Sequence, residues 1–227
     1  MNMKSSKSFF PVYVWGEKYI DNFCELVLPT HFSANNILRL LKKTKCAYKI
    51  FTTREGFEYF KTKPIVKELE KHIDFSFIVI EQNVGEKYQL LAFMQTVSFL
   101  YAKKEGFNYI FPLYGDTVVA DGSISFCLER LQDGYSIVTT LGPQAKLEAL
   151  KPELKKKQYQ TGDFSITVPS SKLVSYAFRH LHDLHATHFW ESECFTSFPS
   201  GVFWKGPGEG VLALTFHIQP IAFNFQC

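Results

Sequence analysis

The 227-residue chain is 46% hydrophobic, 16% aromatic and 21% charged, a composition typical of a soluble globular protein with a substantial core. The apolar content excludes disorder, and the 13 glycines and 10 prolines exclude collagen-like and low-complexity classes. The formal net charge of +3 is too small to favour nucleic acid as a partner. The 23 phenylalanines predict an aromatic-rich core.

The cysteines and the apolar segments indicate the compartment. Five widely spaced cysteines form no Cys-x-x-Cys pair, which favours reduced thiols packed as small hydrophobes. No segment approaches the roughly 18 to 20 apolar residues that span a bilayer. Pro11, Trp15 and Glu17 interrupt the apolar start, which therefore reads as a strand and not as a signal peptide. We expect a cytoplasmic protein, with at most a peripheral association with a membrane.

Strand-like and helix-like segments alternate over the first 141 residues. The strand candidates are 11–16, 47–53, 75–82, 109–114 and 135–141. The helix candidates are 19–28, 35–45, 55–72, 86–106 and 124–134. The almost continuous apolar character of 75–82 is typical of a strand buried on both faces of a parallel sheet. The alternation predicts an α/β fold, a three-layer α/β/α sandwich with a mostly parallel central sheet.

The alternation is lost after residue 141. The lysine-rich segment 142–163 predicts a surface helix and a loop, and 169–190 predicts a helix beginning near Pro169. The Gly/Pro-rich segment 197–210 predicts a loop that leads to one or two final strands. The apolar end of the sequence predicts either a buried terminal strand or a module of a longer protein.

An acidic residue follows the fourth predicted strand, at the edge of the sheet where ligands bind in open parallel folds. Tyr114-Gly115-Asp116 ends this strand, and Asp121-Gly122-Ser123 opens the next helix. This order resembles the centre of GT-A-type glycosyltransferases, where the strand ends in Asp-x-Asp and an Asp/Pro-Gly-Ser turn follows. Asp116 stands at the last acid of that motif, whereas Tyr114 replaces the first. Asp121 is expected to cap the following helix.

The resemblance covers about residues 11–141 and the strand around His217, and it implies a GT-A-like nucleotide-diphospho-sugar transferase fold. It further implies transfer of a sugar from a nucleotide-sugar donor to a glycan or glycoconjugate acceptor. Mn²⁺ or Mg²⁺ requires hard oxygen ligands beside a diphosphate, so Asp116 is the expected catalytic and metal-binding carboxylate. His217, in an apolar strand context, is the expected second ligand. Asp116 as a turn cap and His217 as a core histidine remain open.

The ends of the first two strands are expected, by the same resemblance, to hold the nucleotide. An indole there can stack on the base, and a guanidinium can approach phosphate. The expected nucleotide-sugar-binding residues are Trp15, Gly16, Glu17, Thr52, Thr53, Arg54, Lys87, Tyr114 and Gly115. Ordinary core, turn and surface roles remain open for each of them.

The segment 142–227 is expected to form the acceptor-side half of a single GT-A-like domain over 1–227, with 1–141 as the nucleotide-sugar-binding half. Glu191, Glu193 and Asp183 are candidate catalytic bases, and Glu191 is favoured because Trp190 beside it can stack on a sugar.

A histidine cluster lies in the same half. His180, His182, His185 and His188 predict either a polar helix face that lines the acceptor cleft or a transition-metal site.

Several enzyme classes are disfavoured because the sequence lacks their motifs. The sequence has no P-loop, no GxGxxG after the first strand and no GxSxG elbow. It also lacks the Gly-rich N-terminal loop of sugar-nucleotide pyrophosphorylases, which argues against nucleotidyl transfer. Two alternatives remain open: a metal-dependent hydrolase centred on His180–His188, and a non-catalytic GT-A-like module of a larger glycan-assembly protein.

Overall fold

The computed structural model describes residues 6–81, 85–162, 164–208, 210–215 and 219–226. The strands are β1 (Lys7–Tyr13), β2 (Lys45–Thr53), β3 (Asp74–Ile80), β4 (Tyr109–Ile110), β5 (Leu113–Tyr114), β6 (Ile137–Thr140), β7 (Gln160–Thr161), β8 (Ser165–Ile166), β9 (Gly201–Lys205), β10 (Val211–Thr215) and β11 (Gln219–Asn224). The helices are α1 (Glu17–Asn22), α2 (Leu28–His31), α3 (Ile37–Leu40), α4 (Arg54–Phe60), α5 (Pro64–His72), α6 (Lys87–Lys104), α7 (Ser123–Gln132), α8 (Leu147–Leu154), α9 (Ser170–Arg179) and α10 (Asp183–Ala186).

The central sheet has the strand order β3-β2-β1-β4-β11-β6, and β5 continues beside β1 where β4 ends. The pairs of β1 with β2, β4 and β5, and of β2 with β3, are parallel. Strand β11 is antiparallel to both β4 and β6. The predicted mostly parallel sheet is confirmed, and a strand from the segment after residue 141 lies within it.

Both faces of the sheet are covered, because side chains along a strand alternate between faces. Phe9 and Tyr13 of β1 pack on the α6 side of the sheet. Phe10 and Val12 pack on the opposite side, against α1 to α5 and α7. Phe10 stacks on Phe111 with ring centroids 5.0 Å apart, as expected of an aromatic core. The three-layer α/β/α arrangement is therefore present.

Two helices differ from the predictions. The predicted 55–72 helix is interrupted before Pro64, which lacks a backbone N–H and begins α5. The predicted 169–190 helix ends at Arg179, because 180–182 pair with the segment 144–146. In that pairing the Lys146 N–H donates to the His180 carbonyl at 2.7 Å.

The structure shows the state of four of the five cysteines and the length of the described helices. Cys24, Cys46 and Cys127 are buried free thiols, and Cys194 is an exposed one. Cys227 lies outside the described residues. No helix in the described part of the chain is long and apolar enough to cross a membrane.

Candidate functional site

A cleft of about 1660 Å³ lies beyond the carboxyl ends of β5 and β6. It exceeds the roughly 300 to 1,000 Å³ of a typical small-molecule site, so it has room for a donor and an acceptor together. Its polar and charged lining includes Lys18, Lys87, Gln95, Tyr114, Asp116, Gln144, Lys146, Glu148, His182, Asp183, His185 and His188. Four of the expected site residues, Lys87, Tyr114, Gly115 and Asp116, therefore share one cleft.

Asp116 lies in the turn directly after β5, with its side chain exposed to the cleft. The N–H of Gly115 donates to the Tyr13 carbonyl at 3.1 Å, and the N–H of Thr117 donates to the Tyr114 carbonyl at 3.2 Å. Within the described residues, the Asp116 carboxylate has no hydrogen bond and no ion pair. This exposed carboxylate can bind a cation.

Tyr114 occupies the position of the missing first acid and belongs to the cleft wall. Its phenol oxygen accepts a hydrogen bond from the Gln95 amide at 2.9 Å, and its ring lies 5.7 Å from that of Tyr13. These contacts join β5 to α6 and leave Tyr114 without the hard anionic oxygen that a metal requires.

Asp121 does not cap α7, contrary to the prediction. Its carboxylate accepts hydrogen bonds from the Ser33 hydroxyl at 2.8 Å and from the Asn35 backbone and side-chain nitrogens at 2.9 and 2.7 Å. The residue before α7 is Gly122, whose φ of 85° is favoured by glycine. Asp121 therefore fixes the loop between α2 and α3 to the loop that carries Asp116.

Asn36 supplies the cap that Asp121 was expected to supply. The Asn36 side chain is buried, and its carbonyl oxygen accepts from the Ile124 N–H at 3.0 Å in the first turn of α7. Its amide donates to the carbonyls of Thr30 and Ala120, each at 3.0 Å. No local sequence pattern indicates the contacts of Asn36 with Ala120 and Ile124, which are 84 and 88 residues away.

Two cationic side chains of the cleft lack an anionic partner within the described residues. Lys18 on α1 and Lys87 at the start of α6 are exposed and form no ion pair there. By contrast, Lys146 pairs with Asp183 at 2.5 Å. Lys18 was not among the expected site residues, although it follows the end of the first strand closely. Lys18, Lys87 and Asp116 therefore place charges of both signs in the cleft.

The end of β1 leads to the cleft without lining it. Trp15 is half-buried and packs on the α6 side of the sheet, Gly16 precedes α1 with φ 80°, and Glu17 is exposed in the first turn. The next two residues, Lys18 and Tyr19, line the cleft. This arrangement places Tyr19 nearer to a cleft ligand than Trp15.

The end of β2 has structural contacts of its own. Thr52 is buried, and the Thr53 hydroxyl caps α4 by accepting from the Gly56 N–H at 3.2 Å. Arg54 forms an exposed ion pair with Glu81. None of the three expected residues lines the cleft, so their nucleotide contacts remain predictions.

The residues predicted for the acceptor side do not all line the cleft. His182, His185 and His188 line the cleft, whereas Glu191 is exposed outside its lining. The rings of His185 and His188 are stacked 5.3 Å apart, and the His182 Nδ1 accepts from the Leu184 N–H at 3.3 Å. No three His, Cys, Asp or Glu side chains of the described ranges form a metal-binding group. His217 lies outside the described residues.

Comparisons with known proteins assign no family. No family model matches the sequence, and no curated protein matches it. A cytidylyltransferase structure from Leptospira borgpetersenii is 16% identical, with a TM-score of 0.32 over 64% of this chain and 58% of that one. A 4-diphosphocytidyl-2C-methyl-D-erythritol synthase structure from Anaerococcus prevotii is 11% identical, with a TM-score of 0.36 over 77% and 76%. This chain thus spans less than two thirds of the length of the first structure.

Proposed function

We propose that the chain is a glycosyltransferase that moves a sugar from a nucleotide-sugar donor to a hydroxyl of a glycan or glycoconjugate. The observation that carries the proposal is the exposed Asp116 carboxylate, which has no partner among the described residues, in a large cleft at the carboxyl ends of parallel strands. A nucleoside diphosphate brings several negative charges, which the exposed lysines of the cleft and a carboxylate-bound cation would neutralise together. The proposal rests on this chemistry and on the sequence resemblance.

The chain's own residues have distinct parts in this proposal. Lys18 and Lys87 bind phosphate oxygens, and Asp116 with His217 would hold Mn²⁺ or Mg²⁺. The divalent cation would supply charge neutralisation at the leaving diphosphate. The exposed ring of Tyr19 lies where a base or ribose of the donor can contact it.

The proposed single domain has two sides. Residues 1–141 hold the donor, and the cleft wall formed by the segment after residue 141 receives the acceptor. A cytoplasmic location, with at most a peripheral association with a membrane, is part of the same proposal.

Thermal-shift measurements with UDP-, GDP-, CDP- and CMP-sugars, with and without Mn²⁺, test the donor site. One donor should raise the Tm, and the part of the shift that depends on Mn²⁺ should disappear in Asp116→Ala. Asp133→Ala is the matched control, because Asp133 is an exposed carboxylate that pairs with Arg130 outside the cleft. An equal shift in wild type and Asp116→Ala would contradict the metal role.

Product analysis separates the alternatives. Release of nucleoside diphosphate supports sugar transfer, whereas release of pyrophosphate from CTP or UTP with a sugar phosphate would indicate nucleotidyl transfer. Donor binding without any turnover would favour the non-catalytic module. Zn²⁺ binding that is lost in His182→Ala and His185→Ala, without a nucleotide effect, would favour the hydrolase.

A further inference from the structure

We infer that His188 is the general base that accepts the proton of the acceptor hydroxyl. This inference rests on the proposed function and assigns the catalytic group on the acceptor side of the cleft. It replaces Glu191, which is exposed outside the cleft lining.

The His188 side chain lies in the cleft wall, and its ring nitrogens are available to a ligand. The residue is only 5% exposed, yet it lines the cleft. No hydrogen bond from the described part of the chain reaches its ring nitrogens. Its ring nitrogens are not among the buried side-chain atoms of the described residues that lack a partner, so they are open to the cleft, where water or a ligand can supply a hydrogen-bond partner. The cleft is where that partner can bind.

The backbone fixes the position of this imidazole. The His188 N–H donates to the His185 carbonyl at 3.1 Å, and the His188 carbonyl accepts from the Phe203 N–H at 3.0 Å. Hydrogen bonds on both sides of one residue tie α10 to β9. A base held on regular structure in this way keeps its orientation toward a bound hydroxyl.

His185 positions the His188 ring by stacking on it, and a backbone hydrogen bond determines which nitrogen of His185 carries the proton. Its Nδ1 accepts from the Gln144 N–H at 3.0 Å, so the proton of the neutral ring is on Nε2. The His185 ring is stacked on that of His188 at an interplanar angle of 27°, and both rings lie against Phe203.

The carboxylates of the cleft are weaker candidates. Asp183 forms an ion pair with Lys146, and the hydrogen bond from that lysine lowers the pKa of Asp183. Asp116 is assigned to the cation. Glu148 is exposed in the first turn of α8, where water competes for its oxygens. Glu148 is therefore the competing assignment that the experiment must include.

A lone pair of the acceptor oxygen forms a bond to the anomeric carbon of the donor. The bond from that carbon to the diphosphate oxygen breaks, and its electron pair leaves with the nucleoside diphosphate. The acceptor proton moves to the free ring nitrogen of His188 and is later released to solvent.

Steady-state release of nucleoside diphosphate, with the donor identified by thermal shift and water or sugar hydroxyls as acceptor, tests the assignment. His188→Gln should lower kcat by about 100-fold or more, because general-base catalysis contributes at least this much. The donor KM should stay within about twofold, since the donor site is separate. Added imidazole should restore part of the rate. Glu191→Gln should retain the wild-type kcat, because Glu191 lies outside the cleft lining, and Glu148→Gln tests the competing assignment.

The outcomes separate the base from the proposed function. If no nucleotide-sugar binds the wild type, the proposed function and this inference both fail. If a donor binds but His188→Gln keeps the wild-type kcat, or if Glu148→Gln loses it instead, only the assignment of His188 fails. A donor-bound wild type that passes its sugar to no hydroxyl also overturns the assignment, because no proton would need to be removed.

A chemical experiment on the wild type covers the case in which the His188 variant does not fold. Inactivation by diethyl pyrocarbonate should follow carbethoxylation of His188, mapped by mass spectrometry, and hydroxylamine should reverse it. Inactivation that follows modification of another residue would overturn the assignment.

Discussion

Gly115 lies so close to Val14 that a Cβ atom at position 115 would be 2.6 Å from the Val14 Cβ. The same atom would lie 3.1 Å from the Tyr13 carbonyl oxygen, to which the Gly115 N–H donates. Glycine is therefore needed for the close approach of this loop to β1, and the adjacent Asp116 takes its position from it.

Gly115→Ala should displace the loop and lower the free energy of unfolding by about 1 to 3 kcal/mol, because the new methyl group meets backbone and a β-branched side chain. The Mn²⁺-dependent donor shift should weaken with it. Gly142→Ala is the matched control, since Gly142 also lines the cleft and an added Cβ there meets nothing within 4 Å. Urea unfolding measures the stability of the two variants, and thermal shift measures their Mn²⁺-dependent response to the donor. Equal stabilities of the two variants would contradict the packing argument.

Asn36→Ala should lower the free energy of unfolding by about 3 kcal/mol, because it leaves one buried backbone N–H without a hydrogen bond and removes one hydrogen bond from each of two carbonyls that keep a backbone donor. The groups concerned are the Ile124 N–H and the carbonyls of Thr30 and Ala120. Asn35→Ala removes an exposed side-chain bond to Asp121 and should cost less than about 1 kcal/mol. Urea unfolding at neutral pH gives both values. A larger loss in Asn35→Ala would show that Asp121, and not Asn36, anchors this loop.

The buried His31 should make the protein less stable in mild acid. Burial lowers the pKa of His31 to about 3, and a backbone hydrogen bond at Thr117 opposes this only in part. As the pH falls, His31 binds a proton in the unfolded chain, where its pKa is about 6.5, before it does so in the folded protein. The contribution of neutral His31 to the free energy of unfolding is therefore fully present above about pH 6.5, and it is lost progressively toward pH 3.

Urea unfolding between pH 7 and pH 5 measures this effect. The wild type should lose about 2 kcal/mol more than His31→Gln over this range. His72→Gln, which changes a half-exposed histidine on α5, is the control and should follow the wild type. Parallel pH curves for wild type and His31→Gln would contradict the burial argument.

Lys18→Ala and Lys87→Ala should each weaken donor binding by about tenfold, which corresponds to about 1.4 kcal/mol for one phosphate contact. Arg54→Ala should have a smaller effect, because Arg54 pairs with Glu81 and does not line the cleft. Isothermal titration with the donor found by thermal shift measures all three. A larger loss in Arg54→Ala would instead support the role predicted for the end of β2.

The strands could be predicted where the signal is local. The apolar run at 75–82 predicts β3, and the 109–114 run predicts β4 and β5, which are separate strands around Phe111 and Pro112. Proline cannot donate to a strand pair, so this interruption has a local cause as well.

The site was predictable only where its residues share one sequence segment. Tyr114, Gly115 and Asp116 lie together because they end one strand. Asp121 was assigned to a local cap, and its actual partners, Ser33 and Asn35, are 88 and 86 residues away. Sequence periodicity carries no information on such contacts, nor on the pairing that ends α9 at Arg179 and turns His188 into the cleft.

The place of β11 between β4 and β6 has a consequence for biosynthesis. During translation, β4 and β6 emerge from the ribosome long before the strand that joins them, so both edges stay open until β11 is released. Such distant pairing slows folding. We therefore expect nascent chains stalled before residue 219 to remain sensitive to protease around β6. Protection of such chains equal to that of the released protein would contradict this order of assembly.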